Sequence, residues 1–265
     1  MAITTLDQYI AAASQRVQIL KTGSVTAIAL MNTQVLQAAG NPGAGTLAGA
    51  NTANGLVPTD ADAGFPVINA FGGGATGYIG NITFGSTVAS RITLFDCLFK
   101  AGAYAFNANT TLASQPSYSG RVIGGTDFTN TEIWIEAVTA FTGNQSIAVT
   151  YTNESGTAAR TTGTIATGVA PIVGRMLQLP LQAGDTGVQK IESVVSTVSS
   201  AGTFNVLVLR RLWSGRVPVA NAGDTHDFLK TGMPQIFDNS ALMAIVQPDS
   251  TATGIFELVA EVING

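Results

Sequence analysis

Ser146-Ile147-Ala148-Val149-Thr150-Tyr151-Thr152, running straight into Asn153-Glu154-Ser155-Gly156, decides how this chain is read. Ile147, Val149 and Tyr151 recur with a period of two, which places them on one face of a half-buried strand. The Asn-to-Gly tetrad supplies turn residues, and the Thr-rich run beyond it reads as the returning strand of a hairpin. The same grammar extends outward. Leu177, Leu179 and Leu181 share a face ahead of the turn Gln182–Gly187, and Phe256, Leu258, Ala260 and Val262 face inward while Glu257 and Glu261 face out. Phe204-Asn205-Val206-Leu207-Val208-Leu209 is apolar on both faces, the pattern of a central strand covered on both sides. Candidate strands are 65–71, 78–84, 91–99, 131–139, 146–152, 157–165, 175–181, 188–199, 203–213, 235–246 and 255–263. Short strands at roughly 8–15-residue spacing with Gly-rich turns predict a mainly β chain, a β-sandwich or jelly roll. No 20–50-residue repeat of a solenoid or propeller is present.

Upstream of residue 65 the pattern differs. Thr5 with Gln8 fits a capping box, and Leu6, Tyr9, Ile10, Ala13, Val17 and Leu20 recur at helical spacing, predicting an amphipathic helix over 4–21. Residues 24–39 read as a second helix, with Val25, Ile28, Ala29, Val35 and Leu36 inward. The Gly, Ala, Asn and Thr tract from Gly40 to Asn54 reads as a linker, or as an arm ordered on a neighbouring subunit. The expected organisation is therefore an N-terminal helical arm and linker over 1–64 and a β-sandwich region over 65–265 with an internal boundary near 120–130; deleting residues 1–55 is expected to leave a folded β core but weaken assembly. Residues 100–130, rich in Asn, Ser and Tyr, read as a long surface loop of the kind that makes contacts.

Charge is scarce. Asp, Glu, Lys and Arg make up 11% of the 265 residues, against about 25% in an ordinary soluble domain. Between Thr22 and Ser90 the only charged side chains are Asp60 and Asp62. A surface so poor in charge fits burial against neighbours, because uncharged groups are cheaper to desolvate. The net charge is -4, and the densest basic patch is Arg210, Arg211 and Arg216, so the footprint of a nucleic-acid binder is missing. No stretch approaches the roughly 20 apolar residues of a membrane span. The N-terminus has no secretion signal, and synthesis in a cytosol is expected.

Motifs of catalysis or cofactor binding lack their contexts. Gly72-Gly73-Gly74-Ala75-Thr76-Gly77 matches the dinucleotide pattern, but a strand-like run follows where a helix is required. Asp224-Thr225-His226-Asp227 gathers the only histidine with two carboxylates. Its first reading is a helix cap before Phe228, and its second is a metal site. Cys97 sits in an apolar run and reads as a buried thiol. Glu132, Glu136 and Glu154 are the candidates for a carboxylate pair. The first two would lie about 13 Å apart on one strand, beyond the roughly 5–9.5 Å of two-carboxylate hydrolysis, and read as a solvated strand edge. Asp185 reads as a turn former. No catalytic, cofactor or metal residues are assigned, and the chain is expected not to be an enzyme.

The stretches Ala101-Gly102-Ala103-Tyr104-Ala105-Phe106, Gly174-Arg175-Met176-Leu177-Gln178-Leu179-Pro180-Leu181-Gln182-Ala183-Gly184-Asp185 and Ser240-Ala241-Leu242-Met243-Ala244-Ile245-Val246 resemble structural proteins of tailed-bacteriophage virions. The resemblance implies a virion component made in the host bacterial cytoplasm and assembled in many copies. Since the sequence shows no charge-rich N-terminal scaffold region, a head decoration or cement protein is expected ahead of a shell or tail protein. Its partners would be copies of itself and another capsid protein, with neither nucleic acid nor membrane. The expected assembly residues are Leu6, Tyr9 and Ile10 in the arm, Tyr104 and Tyr118 in the 100–130 loop, and Arg211 and Trp213, since Trp and Arg favour interfaces. The alternative is a carbohydrate- or receptor-binding β module of a phage tail or adhesin. It would need exposed aromatic platforms, for which Trp134, Trp213, Tyr104 and Tyr118 are the candidates.

Overall fold

The hairpin forms as its alternation dictates. In the computed structural model, which describes residues 3–46, 51–106, 108–112, 114–141, 146–166, 172–196 and 201–265, Ile147, Val149 and Tyr151 are wholly buried. The Asn153 side-chain oxygen accepts from the backbone N–H of Ser155 (3.2 Å) and Thr157 (2.8 Å). That Asx turn reverses the chain, and Gly156 adopts φ 84° within it, a conformation that glycine takes without strain.

The chain is mainly β, built from antiparallel sheets, as expected. A terminal sheet holds β15 (Ala222–His226), β5 (Gly77–Ser86), β18 (Phe256–Asn264), β1 (Ala13–Lys21) and β3 (Gly40–Asn41) in that order, with β16 (Gln235–Ile236) also on β5. A small sheet orders β10 (Arg160–Thr161), β9 (Ser146–Asn153), β13 (Val188–Ser196) and β7 (Thr110–Thr111), with β11 (Ile165–Ala166) on β9. A central sheet orders β12 (Met176–Leu179), β8 (Thr131–Ala137), β14 (Thr203–Val217), β6 (Ser90–Ala105), β17 (Leu242–Pro248) and β2 (Thr33–Gln34), with β4 (Asn51–Leu56) on β6.

The long strands β6 and β14 form a spine. Toward one end Ile92, Leu94, Leu212 and Trp213 pack with Val17, Ile82, Phe84 and Leu258 of the terminal sheet. Toward the other end Phe99, Ala101, Phe204 and Val206 pack with Ile147, Val149, Tyr151 and Ile191 of the small sheet. Two sandwiches thus share one sheet. Leu177 and Leu181 pack around the second core with buried Leu179, the shared face read from sequence. A third cluster, with Phe95, Cys97, Trp134, Leu207, Leu209 and Met243, lies under Leu36 and Phe65. It explains why β14 is apolar on both faces: loop segments of the same chain cover its second side.

At the junction of the two sandwiches Asp96 follows Leu94 of one core and precedes Leu98 of the other along β6. It faces Arg210 across the ladder. Its oxygens accept from Arg121, from Arg210 Nη2 (3.3 Å) and from Ser240 Oγ (2.8 Å). Arg121 also donates to the carbonyls of Pro58 and Cys97. It comes from a single 3-10 turn, Ser119–Arg121, inside the stretch where an internal boundary was expected.

The N-terminal expectations need correction. The helix predicted over 4–21 is confined to α1 (Leu6–Ala11), with the capping box of Thr5 and Gln8 in place. Residues 13–21 are β1 instead, paired in unbroken register with β18 from Ala13↔Asn264 to Lys21↔Phe256. Val17 and Ile19 alternate into the core as the strand requires. A nine-residue ladder and that burial outweigh helical spacing, which six residues of α1 alone satisfy. Residues 24–39 form no helix. Leu36 and Val35 enter the cores from irregular backbone, and Leu36 N–H donates to the Gln34 side chain (2.5 Å). The tract 40–54 carries β3 and part of β4; its residues 47–50 lie outside the described residues. Residues 65–71 form no ladder, and 235–246 divides into β16 and the start of β17. β6 continues through Ala105, so the expected 100–130 loop begins inside a strand.

Candidate functional site

Three of the residues expected to mediate assembly meet at one corner. Asp227 caps α2 (Phe228–Thr231), its carboxylate accepting from Lys230 N–H (3.1 Å), the cap reading of that motif. The Phe228 ring meets Tyr9 of α1 with centroids 5.0 Å apart. Tyr9 also lies over Gly80 of β5, where a β-carbon would come within 3.1 Å of the ring, so glycine there lets α1 seat against the sheet. Burial, with Glu261 and Asp227 nearby, pushes the Tyr9 phenol above its ordinary value. With Tyr9 inward, Leu6 and Ile10 point out one turn apart and are 58% and 72% exposed; Leu229 of α2 is 78% exposed. A cleft of about 260 Å³ lined by Ile3, Leu6, Tyr9, Phe228 and Met233 runs between the helices. Leu229 and α2 were not foreseen as part of this surface; the capped Phe-Leu pair after Asp227 was the available signal.

The other four residues divide. Tyr104 and Tyr118 are interior, their hydroxyls donating to Thr52 O (2.9 Å) and Val188 O (2.8 Å), and burial pushes both phenols up, Tyr104 to about 12. Trp213 is interior too, edge-on to Phe84 at 4.7 Å, and its Nε1 donates to His226 Nδ1 (2.9 Å). The surface role expected of these three is thereby corrected: register shifts in the β6–β14 ladder, between Ala101 and Tyr104 and between Arg211 and Trp213, turn Tyr104 and Trp213 into the cores, and Tyr118 packs on Phe99 and Phe128. Arg211 alone keeps a half-exposed guanidinium, bonded to Glu132 (3.0 Å) and lying over the Phe95 ring at 5.3 Å.

The remaining motifs resolve locally. His226 Nε2 lies 3.5 Å from Asp224, while Asp227 is engaged in its cap. Among the described residues no three His, Cys, Asp or Glu side chains converge as metal ligands. Gly77 opens β5, and a β-carbon added at Gly72, Gly73 or Gly74 would meet open space. The Cys97 thiol is fully buried, and burial pushes it up to about 12. Glu132 and Glu136 are not the solvated edge expected of them. Glu132 holds Arg211 and Trp134 Nε1 (2.8 Å), and Glu136 is completely enclosed. Asp185 does occupy its turn, but it also accepts from Tyr151 OH (2.6 Å), Asn153 Nδ2 (2.9 Å) and Arg160 Nε (2.9 Å).

No protein-family model matches the chain, and no curated protein matches it. Solved structures align with it only loosely. The structure of infectious bursal disease virus Gx strain aligns at 10% identity over 96% of this chain and 80% of that one, with a TM-score of 0.16. The crystal structure of the infectious bursal disease virus VP2 subviral particle aligns at 10% identity over 96% and 79%, with a TM-score of 0.18.

Proposed function

We propose that this chain is a non-enzymatic structural protein of a virion, and more narrowly a head decoration or cement protein of a tailed bacteriophage. It packs on copies of itself and on a capsid protein. The observation behind this reading is the corner formed by α1 and α2, where Leu6 lines an apolar cleft and Leu6, Ile10 and Leu229 stand exposed on the two helices of a charge-poor chain. Covering three such side chains contributes about 1.5–3 kcal/mol each, and a stable interface of roughly 1,200–2,000 Å² would form around them. The arm narrows to residues ahead of Ala13, with 13–265 as the folded body. Arg211 belongs to a different, more polar face. The carbohydrate-binding alternative loses its footing, because Trp134, Trp213, Tyr104 and Tyr118 are all buried.

Sedimentation of the native chain and of a Leu6→Ser, Ile10→Ser, Leu229→Ser variant tests the reading. The native chain should form a discrete oligomer, and the variant should need about tenfold or more higher concentration to do so. A native chain that remains monomeric and is indifferent to the triple substitution would overturn it.

A further inference from the structure

Beneath the loops covering the outer face of the central sheet, three adjacent strands bring together a lysine, a glutamate and an asparagine. Lys100 lies on β6, Asn205 on β14 and Glu136 on β8, and all three are buried. Asn205 stands directly opposite Glu136 in the ladder. Lys100 is paired with Leu207, which makes it the diagonal neighbour of Asn205, within reach of a long side chain. Both nitrogens meet on one carboxylate atom: Lys100 Nζ lies 3.3 Å from Glu136 Oε2, and Asn205 Nδ2 donates to the same Oε2 at 2.7 Å. The amine and the carboxamide are therefore within two hydrogen-bond lengths of each other, with an acid–base group between them. Glu136 Oε1 has no hydrogen-bond partner among the described residues.

A buried ion pair is a poor source of stability by itself, since desolvating both charges offsets most of their attraction. Enclosed beside a carboxamide, the same pair has a chemical use. We propose that Lys100 and Asn205 join in the folded chain through an isopeptide bond, with Glu136 as the proton carrier. Glu136 Oε2 takes a proton from the Lys100 ammonium, converting two buried charges into a neutral amine and a carboxylic acid. The amine lone pair attacks Asn205 Cγ, and the carbonyl electrons move onto Oδ1. Glu136 passes its proton to Nδ2 and takes one from Nζ. The carbonyl re-forms, the Cγ–Nδ2 bond breaks, and its electron pair leaves with ammonia. A secondary amide links the two side chains, Glu136 ends as a carboxylic acid, and no oxidant, metal or other reactant is consumed. Positioning does most of the work, because burial holds the three groups together and keeps water from competing for Cγ. The new bond would tie β6 to β14, the two strands that both sandwiches share.

Intact-mass measurement of the full-length native protein, after denaturation, tests the proposal without any substitution. The expected result is a chain lighter than its sequence by one ammonia, about 17 Da, with proteolysis yielding a branched peptide that joins Lys100 to Asn205. Glu136→Ala, Lys100→Arg and Asn205→Ala should each restore the full mass. A native chain of full mass overturns the proposal. So does a mass loss that maps to ring closure at Asn54–Gly55 or Asn264–Gly265 with no branched peptide.

Discussion

Asp185 was legible as a turn residue and illegible as the hub of a polar cluster. Arg160 beside it, together with the Tyr151 and Asn153 hydrogen bonds, holds its carboxyl down to about 2, against an ordinary value of 3.8. Because the folded-state value is depressed, the folded chain binds fewer protons than the unfolded chain in that interval, so the stabilisation is present above the ordinary value and disappears as pH falls through about 2. The thermal midpoint should therefore drop between pH 3.8 and about 2, and Asp185→Asn should flatten that part of the profile; an unchanged slope in the variant would count against the cluster. Asp96 presents the opposite case, a single carboxylate inside the molecule serving two arginines. Asp96→Ala would leave both guanidiniums buried without their counter-ion, at a cost of roughly 3–5 kcal/mol, readable as a lower denaturation midpoint in urea. Neither cluster has a sequence signature. Arg121 and Arg160 are distant in sequence from the carboxylates they hold, and strand parity says which face a residue is on but not whether another segment covers that face. For this reason Glu136 reads as solvated and is enclosed.

Among the elements, those with local signals came out as read. The β9 hairpin carries its alternation and its Asx turn within a dozen residues, and β18 shows its inward Phe256, Leu258, Ala260 and Val262 in one run. β1 did not, because Ala13, Val17 and Leu20 satisfy a helical period while Val17 and Ile19 satisfy a strand period. The partner that decides between them, β18, lies at the other end of the chain. This difference has a measurable consequence. Removing residues 1–12 takes away α1 and its surface but no strand, so the far-UV spectrum and melting midpoint should hold. Removing residues 1–21 strips β1 from β18 and empties the Val17 and Ile19 positions of the terminal core, and cooperative melting should be lost. Retained cooperative melting in the longer truncation would mean that the terminal sheet tolerates an open β18 edge.

For the molecule as a whole, the chain's composition determined that it is poor in charge. Its alternating runs determined most of the strands, because a period of two is written in neighbouring residues. Only the tertiary structure decided that the two sandwiches share a sheet. That choice depends on which distant strands pair and on the bulges that let β6 and β14 run through both cores. A shared spine couples the halves, so heat should unfold them in one transition with matching calorimetric and van't Hoff enthalpies; two resolved transitions would show the halves to be independent. Likewise, the sequence marked Tyr104, Tyr118 and Trp213 as large and amphipathic, but their burial followed from the pairing of strands far apart in the chain. Surface and interior are properties of the packed whole, and short-range pattern fixes only which side chains face the same way.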